Sequence, residues 1–96
     1  MTARTIIDLA STPRLAPHMR LRHDKARTQW TIQAPERSFV LDEVAHAIVS
    51  RCDGAKPLEA VVTDLCNTFP GAPRDVIEKD VLALVQNFVD KSVMQA

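Results

Sequence analysis

The side chains that could support metal binding or catalysis are few and far apart in this chain. His18, His23 and His46 lack the spacing of a metal site, such as two histidines four positions apart on one helix. Cys52 and Cys66 are isolated, without the paired Cys-x-x-Cys units of a zinc site or the cysteine density of a disulfide-rich scaffold. These residues therefore predict neither a bound metal nor a cofactor.

Cys52, followed by Asp53, is a candidate nucleophile, but a helix is predicted to end there. The C-terminal end of a helix is negative and raises the pKa of a thiol, so Cys52 is interpreted as a core residue. The adjacent carboxylates Asp42 and Glu43 are interpreted as helix-capping groups rather than an acid and base pair. Two glycines in the whole chain exclude a glycine-rich phosphate loop. The sequence thus predicts a protein that is not an enzyme.

The composition is that of one small domain. A chain of 96 residues, 46% of them hydrophobic, can fill one modest core. Residues 1–37 carry 7 basic and 3 acidic side chains, whereas residues 38–96 carry 5 and 9, so the charge is polarised although the formal net charge is zero. No apolar run is long enough to span a membrane, and the N-terminus lacks the features of a signal peptide, which predicts a soluble cytoplasmic protein.

Three short strands are predicted after an N-terminal arm. Residues 1–17 contain several turn signals and little periodicity, and are predicted to form an extended arm to a domain spanning residues 18–96. Apolar and polar residues alternate from Met19 to Arg22 and again from Trp30 to Gln33, which predicts an antiparallel pair. A Pro-Glu turn at residues 35–36 then leads to a third strand over residues 38–41. In a sheet of this size, at least one strand presents an open backbone edge to which a peptide can dock.

Three helices are predicted after the strands. Asp42 suits the N-cap of the first helix, in which Val44, Ile48 and Cys52 repeat every four residues and His46 points toward solvent, and Gly54 supplies the left-handed stop. A second helix begins near Pro57 and carries one apolar stripe to Phe69. The predicted fold class is therefore α+β.

The third helix, predicted from about residue 74 to residue 91, carries two apolar stripes. One consists of Ile77, Val81, Leu84 and Phe88, and the other of Leu82, Val85 and Val89. Either both stripes are buried, one against the helices and one against the sheet, or the second is partly exposed and lines a groove beside the third strand.

The chain resembles the PqqD family over residues 13–94. The resemblance rests on Pro13-Arg14-Leu15, on the strand pair 21–24 and 30–32, on Ala34-Pro35-Glu36, on Val40-Leu41-Asp42, on Cys52-Asp53-Gly54 and on Asp80-Val81. It implies a winged helix-turn-helix-like domain, with a three-stranded antiparallel sheet followed by three helices. Such domains are recognition elements for the leader peptides of ribosomally made natural products.

The resemblance also implies a function and a site. The protein would act as a peptide chaperone that binds the precursor peptide PqqA and presents it to the radical SAM enzyme PqqE in pyrroloquinoline quinone biosynthesis. The peptide would add as a strand beside the third strand, in a cleft closed by the third helix. The residues implied for this cleft are Ser38, Phe39, Val40 and Leu41 on the strand and Val81, Leu82, Val85, Phe88 and Val89 on the helix.

Two other functions are compatible with the same elements. A winged helix can bind nucleic acid, but the third helix carries four acidic and three basic side chains within residues 74–91, which disfavours binding to phosphates. The open edge can also pair with a second copy of the chain and form a homodimer. Peptide binding without nucleic acid or membrane is therefore the principal prediction.

Overall fold

The protein forms a short antiparallel sheet followed by three helices, and the predicted winged helix-turn-helix-like α+β class is confirmed. The computed structural model describes residues 5–35 and 37–96. The strands are β1 (Arg14–Leu15), β2 (Arg20–Asp24), β3 (Gln29–Ala34), β4 (Arg37–Leu41) and β5 (Met94–Gln95), and the helices are α1 (Glu43–Arg51), α2 (Leu58–Thr68) and α3 (Arg74–Asp90).

The main sheet has the strand order β2-β3-β4, with all neighbours antiparallel. Its register pairs Leu21 with Ile32 and Ile32 with Phe39. Because side chains alternate between the faces of a strand, these three residues lie on one face, which packs on the helices. Ile32 has no exposed surface, as expected at the centre of that face. The three predicted strands are confirmed, and β4 lies at an edge of the sheet.

The predicted start and stop of α1 are confirmed at the level of individual atoms. The Asp42 carboxylate accepts a hydrogen bond of 2.7 Å from the backbone N–H of Ala45, which satisfies a donor that the first helical turn leaves free. Gly54 has a φ of 84°, a conformation that strains any residue with a Cβ atom. The chain therefore turns sharply after α1 and directs α2 back across the core.

The predicted inner face of α1 is only partly correct. Ile48 and Cys52 are buried as predicted, but Val44 is 47% exposed, whereas Ala47 and Val49 are buried. The buried stripe is thus rotated around the helix relative to the predicted stripe. The small side chain of Ala47 allows close packing on that side, while Val44 lies at the border of a groove between α1 and α3.

Residues 5–17, part of the predicted arm, are joined to the rest of the fold by backbone hydrogen bonds. The carbonyl oxygens of Leu9 and Ser11 accept from the N–H groups of Glu59 and Leu58, both at 2.9 Å. They cap α2, whose N-cap residue Pro57 makes no side-chain hydrogen bond. Further along, β1 pairs with β5 and closes a second, two-stranded sheet. The boundary at residue 17 stays a prediction, and residues 1–4 lie outside the described residues.

The core lies between the inner face of the main sheet and the three helices. Its fully buried side chains include Ile32 from β3, Leu58 and Val62 from α2, and Val81 and Val85 from α3. In the described ranges, 5–35 and 37–96, none of the helices is long and apolar enough to cross a membrane.

Candidate functional site

The outer edge of β4 has backbone hydrogen-bonding groups that face away from the sheet. The last pair in the register of β3 and β4 is Ala34 with Arg37, and because these two residues are only three positions apart in the chain, they exchange both backbone bonds. Because antiparallel pairs alternate, Phe39 and Leu41 also bond to β3, whereas the N–H and C=O groups of Ser38 and Val40 point outward. No strand within the described part of the chain pairs with this edge.

The side chains of β4 divide between two faces. Phe39 is half-buried and Leu41 is buried, and both point toward the helices. Ser38 is exposed and Val40 is 64% exposed, so the opposite face of the strand is accessible. The strand residues predicted for the site therefore form one continuous edge, in which the backbone of Ser38 and Val40 is available and Phe39 and Leu41 fix the strand to the core.

The beginning of β4 is joined to the end of α3. The ring of Phe39 meets the ring of Phe88 edge to face, with the centroids 5.9 Å apart. The Arg37 side chain donates through Nη1 to the carbonyl oxygen of Lys91 at 2.8 Å. The Arg37 guanidinium and the Lys91 ammonium both lie 5.8 Å from the centroid of the Phe39 ring. This joint holds the C-terminal half of α3 beside the edge strand.

The helix residues predicted for the site differ in accessibility. Val81 and Val85 have no exposed surface, and Phe88 is 5% exposed, so these three side chains belong to the packed core beneath α3 and not to its accessible surface. Leu82 and Val89 are half-buried. On the helix surface these two residues flank Gln86, which lies four positions after Leu82 and three before Val89.

The N-terminal segment runs along α3 at Gln86. The Gln86 side chain accepts a hydrogen bond from the N–H of Ile7 at 3.0 Å and donates one to the carbonyl oxygen of Thr5 at 2.8 Å. Leu82 and Val89 thus lie on the flank of α3 that borders residues 5–7, not on the flank that borders α1. The sequence could not indicate this, because residues 5–7 and Gln86 are about eighty positions apart.

The opposite flank of α3 faces α1 across an open groove, here called the α1/α3 groove, with a volume of about 580 Å³. Its lining includes Asp42, the residue directly after β4. Leu84, a member of the first apolar stripe in the sequence, is half-buried there. The residues that line the groove are Asp42, Val44, Ala45, Ile48, Asp80, Ala83, Leu84 and Asn87.

His46 is not directed to solvent as predicted; it stacks on Trp30. The rings of His46 and Trp30 are nearly parallel, at 10°, with their centroids 4.2 Å apart. The ring of His23 also contacts Trp30, with the two centroids 4.9 Å apart. Burial, the Arg51 charge and His23 lower the pKa of His46, which favours a neutral imidazole. The stack joins β2, β3 and α1, so it is structural support for the end of β4.

Cys52 is a core residue, as predicted. It is buried, and its thiol donates to the carbonyl oxygen of Ile48 at 3.2 Å. Burial, together with the charge of Asp53, raises the pKa of this thiol to about 12, so the reactive thiolate is not populated at neutral pH. No group of three or more potential metal ligands occurs within residues 5–35 and 37–96.

An α+β domain with an unpaired strand edge beside a helical groove belongs to the class of winged helix-turn-helix-like binding modules. The description of the matching family model is "Coenzyme PQQ synthesis protein D (PqqD)", and the match spans residues 29–93. Among curated proteins, the chain is 38% identical to a "PqqA binding protein" of Rhodopseudomonas palustris strain BisB5, covering 98% of this chain and 92% of the relative. A "PqqA binding protein" of Gluconobacter oxydans is 41% identical, over 78% of this chain and 77% of the relative.

Two solved structures share the fold. One is the solution NMR structure of the PqqD truncation of Methylobacterium extorquens PqqCD, described as a functional, stand-alone RiPP recognition element, with 33% identity, a TM-score of 0.74 and 88% coverage of each chain. The other is the crystal structure of PqqD from Xanthomonas campestris, with 36% identity, a TM-score of 0.59, and coverage of 94% of this chain and 99% of that chain. The chain described here belongs to the PqqD family.

Proposed function

We propose that this protein is a peptide chaperone, without catalytic activity of its own, that binds the precursor peptide PqqA for pyrroloquinoline quinone biosynthesis. The observation that carries the proposal is the unpaired edge of β4 beside the α1/α3 groove, in a chain whose curated relatives are named for binding PqqA. Titration of PqqA into the protein by isothermal calorimetry tests it. We expect a dissociation constant of about 1 μM or below, and heats no larger than those of dilution would contradict it.

Peptide capture proceeds by strand addition. The four outward groups of Ser38 and Val40, two N–H and two C=O, bond to the peptide backbone and together contribute about 2–6 kcal/mol, at about 0.5–1.5 kcal/mol each. Micromolar affinity corresponds to about 8 kcal/mol, and a flexible peptide also loses conformational entropy. Burial of apolar surface must therefore supply the remainder, for which the half-buried Leu84 in the α1/α3 groove is suited.

In this proposal the site comprises residues 38–41 on the strand and the α1-facing flank of α3. Val81, Val85 and Phe88 form the packed layer beneath that flank, consistent with their burial. Leu82 and Val89, which border residues 5–7, lie away from the peptide. The proposed helix wall thus differs from that implied by the family resemblance, since Leu84 and Asn87 take the place of Leu82 and Val89.

Leu84→Ala is expected to weaken PqqA binding about three- to tenfold, because a half-buried leucine that gains cover from the peptide loses that apolar contact. The matched control is Leu82→Ala, the same substitution at a half-buried leucine on the other flank, for which we expect less than a twofold change. Calorimetric titration of both variants with PqqA makes the comparison. A larger loss of affinity for Leu82→Ala than for Leu84→Ala would place the peptide on the flank that borders residues 5–7 and contradict the proposed site.

We further propose that the bound peptide is presented to the radical SAM enzyme PqqE. A peptide added to the edge of β4 is paired along one side only, and its other side and its flanking residues remain accessible to a second protein. The chemical modification of the peptide would then be carried out by the enzyme, in keeping with a buried, protonated Cys52 in this domain. Co-sedimentation of the protein with PqqE, with and without PqqA, tests this assembly.

A second copy of the chain is the competing occupant of the β4 edge, since two unpaired edges can pair with each other. If such a homodimer forms through β4, PqqA and the second copy compete for the same backbone groups. Sedimentation equilibrium across a range of protein concentrations, repeated with saturating PqqA, distinguishes the two. Conversion of a dimer to a 1:1 complex by PqqA would show that both use this edge.

A further inference from the structure

An apolar pocket between the three helices adjoins the α1/α3 groove. Val44, Ile48 and Asp80 line both the groove and this pocket, so the two cavities are adjacent. The pocket, here called the interhelical pocket, has a volume of about 160 Å³. Its lining residues are Val44, Ile48, Leu65, Phe69, Ala72, Val76, Ile77, Asp80 and Val81.

The interhelical pocket has the size and chemistry for one large apolar side chain. Cavities of about 150 Å³ lined by aliphatic and aromatic residues admit a molecule the size of benzene. Among the described residues of the lining, Asp80 is the only ionisable one, and the others have apolar side chains. Two valines at its border, Val44 and Val76, are 47% and 48% exposed, which leaves an apolar rim in contact with water.

The α1/α3 groove is lined by two carboxylates. Asp42 lines the groove and Asp80 lines both cavities, whereas none of the described residues that line them is a lysine, arginine or histidine. The Asp42 carboxylate is fixed in place as the N-cap of α1, by its hydrogen bond from Ala45. A cationic side chain bound in the groove would be attracted by both carboxylates.

We propose that the peptide continues from the β4 edge along the α1/α3 groove, inserts one large apolar side chain into the interhelical pocket and places a lysine or arginine between Asp42 and Asp80. This inference rests on the proposed function and adds to it a requirement on the peptide sequence: a basic residue next to a large apolar residue, beyond the strand-paired segment. Adjacency identifies the occupant, since Asp42, the residue after β4, lines the groove and the groove shares three lining residues with the interhelical pocket.

The charge requirement is tested by Asp42→Asn and Asp80→Asn, singly and together. Asparagine is as good an N-cap as aspartate, so the first change removes the charge and keeps the cap. At low ionic strength we expect PqqA to bind about two- to fivefold more weakly to each single variant and about tenfold more weakly to the double variant. The difference from the wild type should vanish near 1 M salt, where screening acts over about 3 Å.

Glu59→Gln is the matched control for charge. It also removes one negative charge from the first turn of a helix, but at α2, where Glu59 lines neither the groove nor the interhelical pocket. We expect an unchanged affinity for PqqA. An equal loss for Glu59→Gln would assign the effect to the net charge of the protein and overturn the proposed cation site.

The apolar requirement is tested by Val44→Ser combined with Val76→Ser. Both valines are about half exposed, so the fold tolerates the changes, and we expect about tenfold weaker binding of PqqA. Ile6→Ser is the matched control, because Ile6 is 68% exposed and lines neither the groove nor the pocket. A substitution in the β4 edge, Val40→Pro, reports independently on strand addition.

The outcomes separate this inference from the proposed function. If Val40→Pro abolishes binding while the aspartate and valine variants bind PqqA like the wild type, strand addition stands and the pocket assignment is overturned. If all variants, Val40→Pro included, bind like the wild type, the proposed site itself fails. If the valine variants alter only the self-association of the protein, measured by sedimentation, the pocket is an interface between copies and the inference is also overturned.

Discussion

Val40→Pro is expected to weaken PqqA binding by at least about tenfold while the domain remains folded. The N–H of Val40 points away from β3, and proline removes that donor, worth about 0.5–1.5 kcal/mol, and places its ring where the peptide backbone would approach. Proline is tolerated in an edge strand when the lost N–H faces solvent. Calorimetric titration with PqqA measures the effect, and circular dichroism checks the fold.

Val40→Thr is the control for this prediction. Threonine is also β-branched and keeps the backbone donor, so the affinity for PqqA should change less than threefold. Equal affinities of the proline and threonine variants, both folded, would contradict backbone pairing at Val40. A loss in both would indicate that the exposed side chain, not the backbone, carries the interaction.

Phe88→Ala is expected to lower the free energy of unfolding by about 3–5 kcal/mol. The side chain is 5% exposed and packs edge to face on Phe39, so its removal leaves a cavity at the joint between α3 and β4. Domains of this size have a total stability of about 5–15 kcal/mol, so the loss is a large fraction. Urea denaturation followed by circular dichroism measures it.

Val89→Ala is the matched control, since Val89 is the next residue on α3 and only half-buried. We expect a loss of about 1 kcal/mol or less. A cost below about 1 kcal/mol for Phe88→Ala as well would mean that the joint contributes little to the fold. The edge of β4 would then not be held in place by α3.

The elements that the sequence predicts well are those determined by neighbours in the chain. The alternation of apolar and polar residues identifies β2 and β3. Asp42 can be placed at the start of α1 because a capping side chain bonds to a backbone N–H only a few residues further along the chain. Gly54 is identified because a left-handed residue after a helix favours glycine. The third strand and its position at the edge of the sheet likewise follow from a hairpin whose turn contains proline.

The features that the sequence does not predict depend on contacts between distant residues. β1 and β5 are two residues each, which is too short to show an alternation of apolar and polar residues. They pair across about eighty positions of the chain, so no local signal indicates their contact. The orientation of His46 depends on the ring of Trp30, which lies on a different element. Similarly, the two apolar stripes of α3 could not be assigned to a groove without knowing that residues 5–7 lie along Gln86.

In the proposed arrangement the peptide contacts the α1-facing flank of α3, whereas the family resemblance implies the flank that carries Leu82 and Val89, and both assignments stay predictions. Apolar periodicity identifies residues that are buried by something, but it does not distinguish a core from a partner. Val85 is buried by the core, whereas Leu84 is half-buried at the groove and has surface left for a ligand. The side-chain hydrogen bonds of Gln86 to residues 5–7 add the discriminating information, because they show that the flank carrying Leu82 and Val89 borders the N-terminal segment.

The most direct measurement is backbone amide hydrogen exchange at β4, followed by NMR with and without PqqA. In the free protein, the amides of Ser38 and Val40 face outward and should exchange rapidly, whereas those of Phe39 and Leu41, bonded to β3, should exchange slowly. We predict that saturating PqqA slows exchange at Ser38 and Val40 at least about tenfold. Rapid exchange at both residues in a protein saturated with PqqA would contradict strand addition to β4.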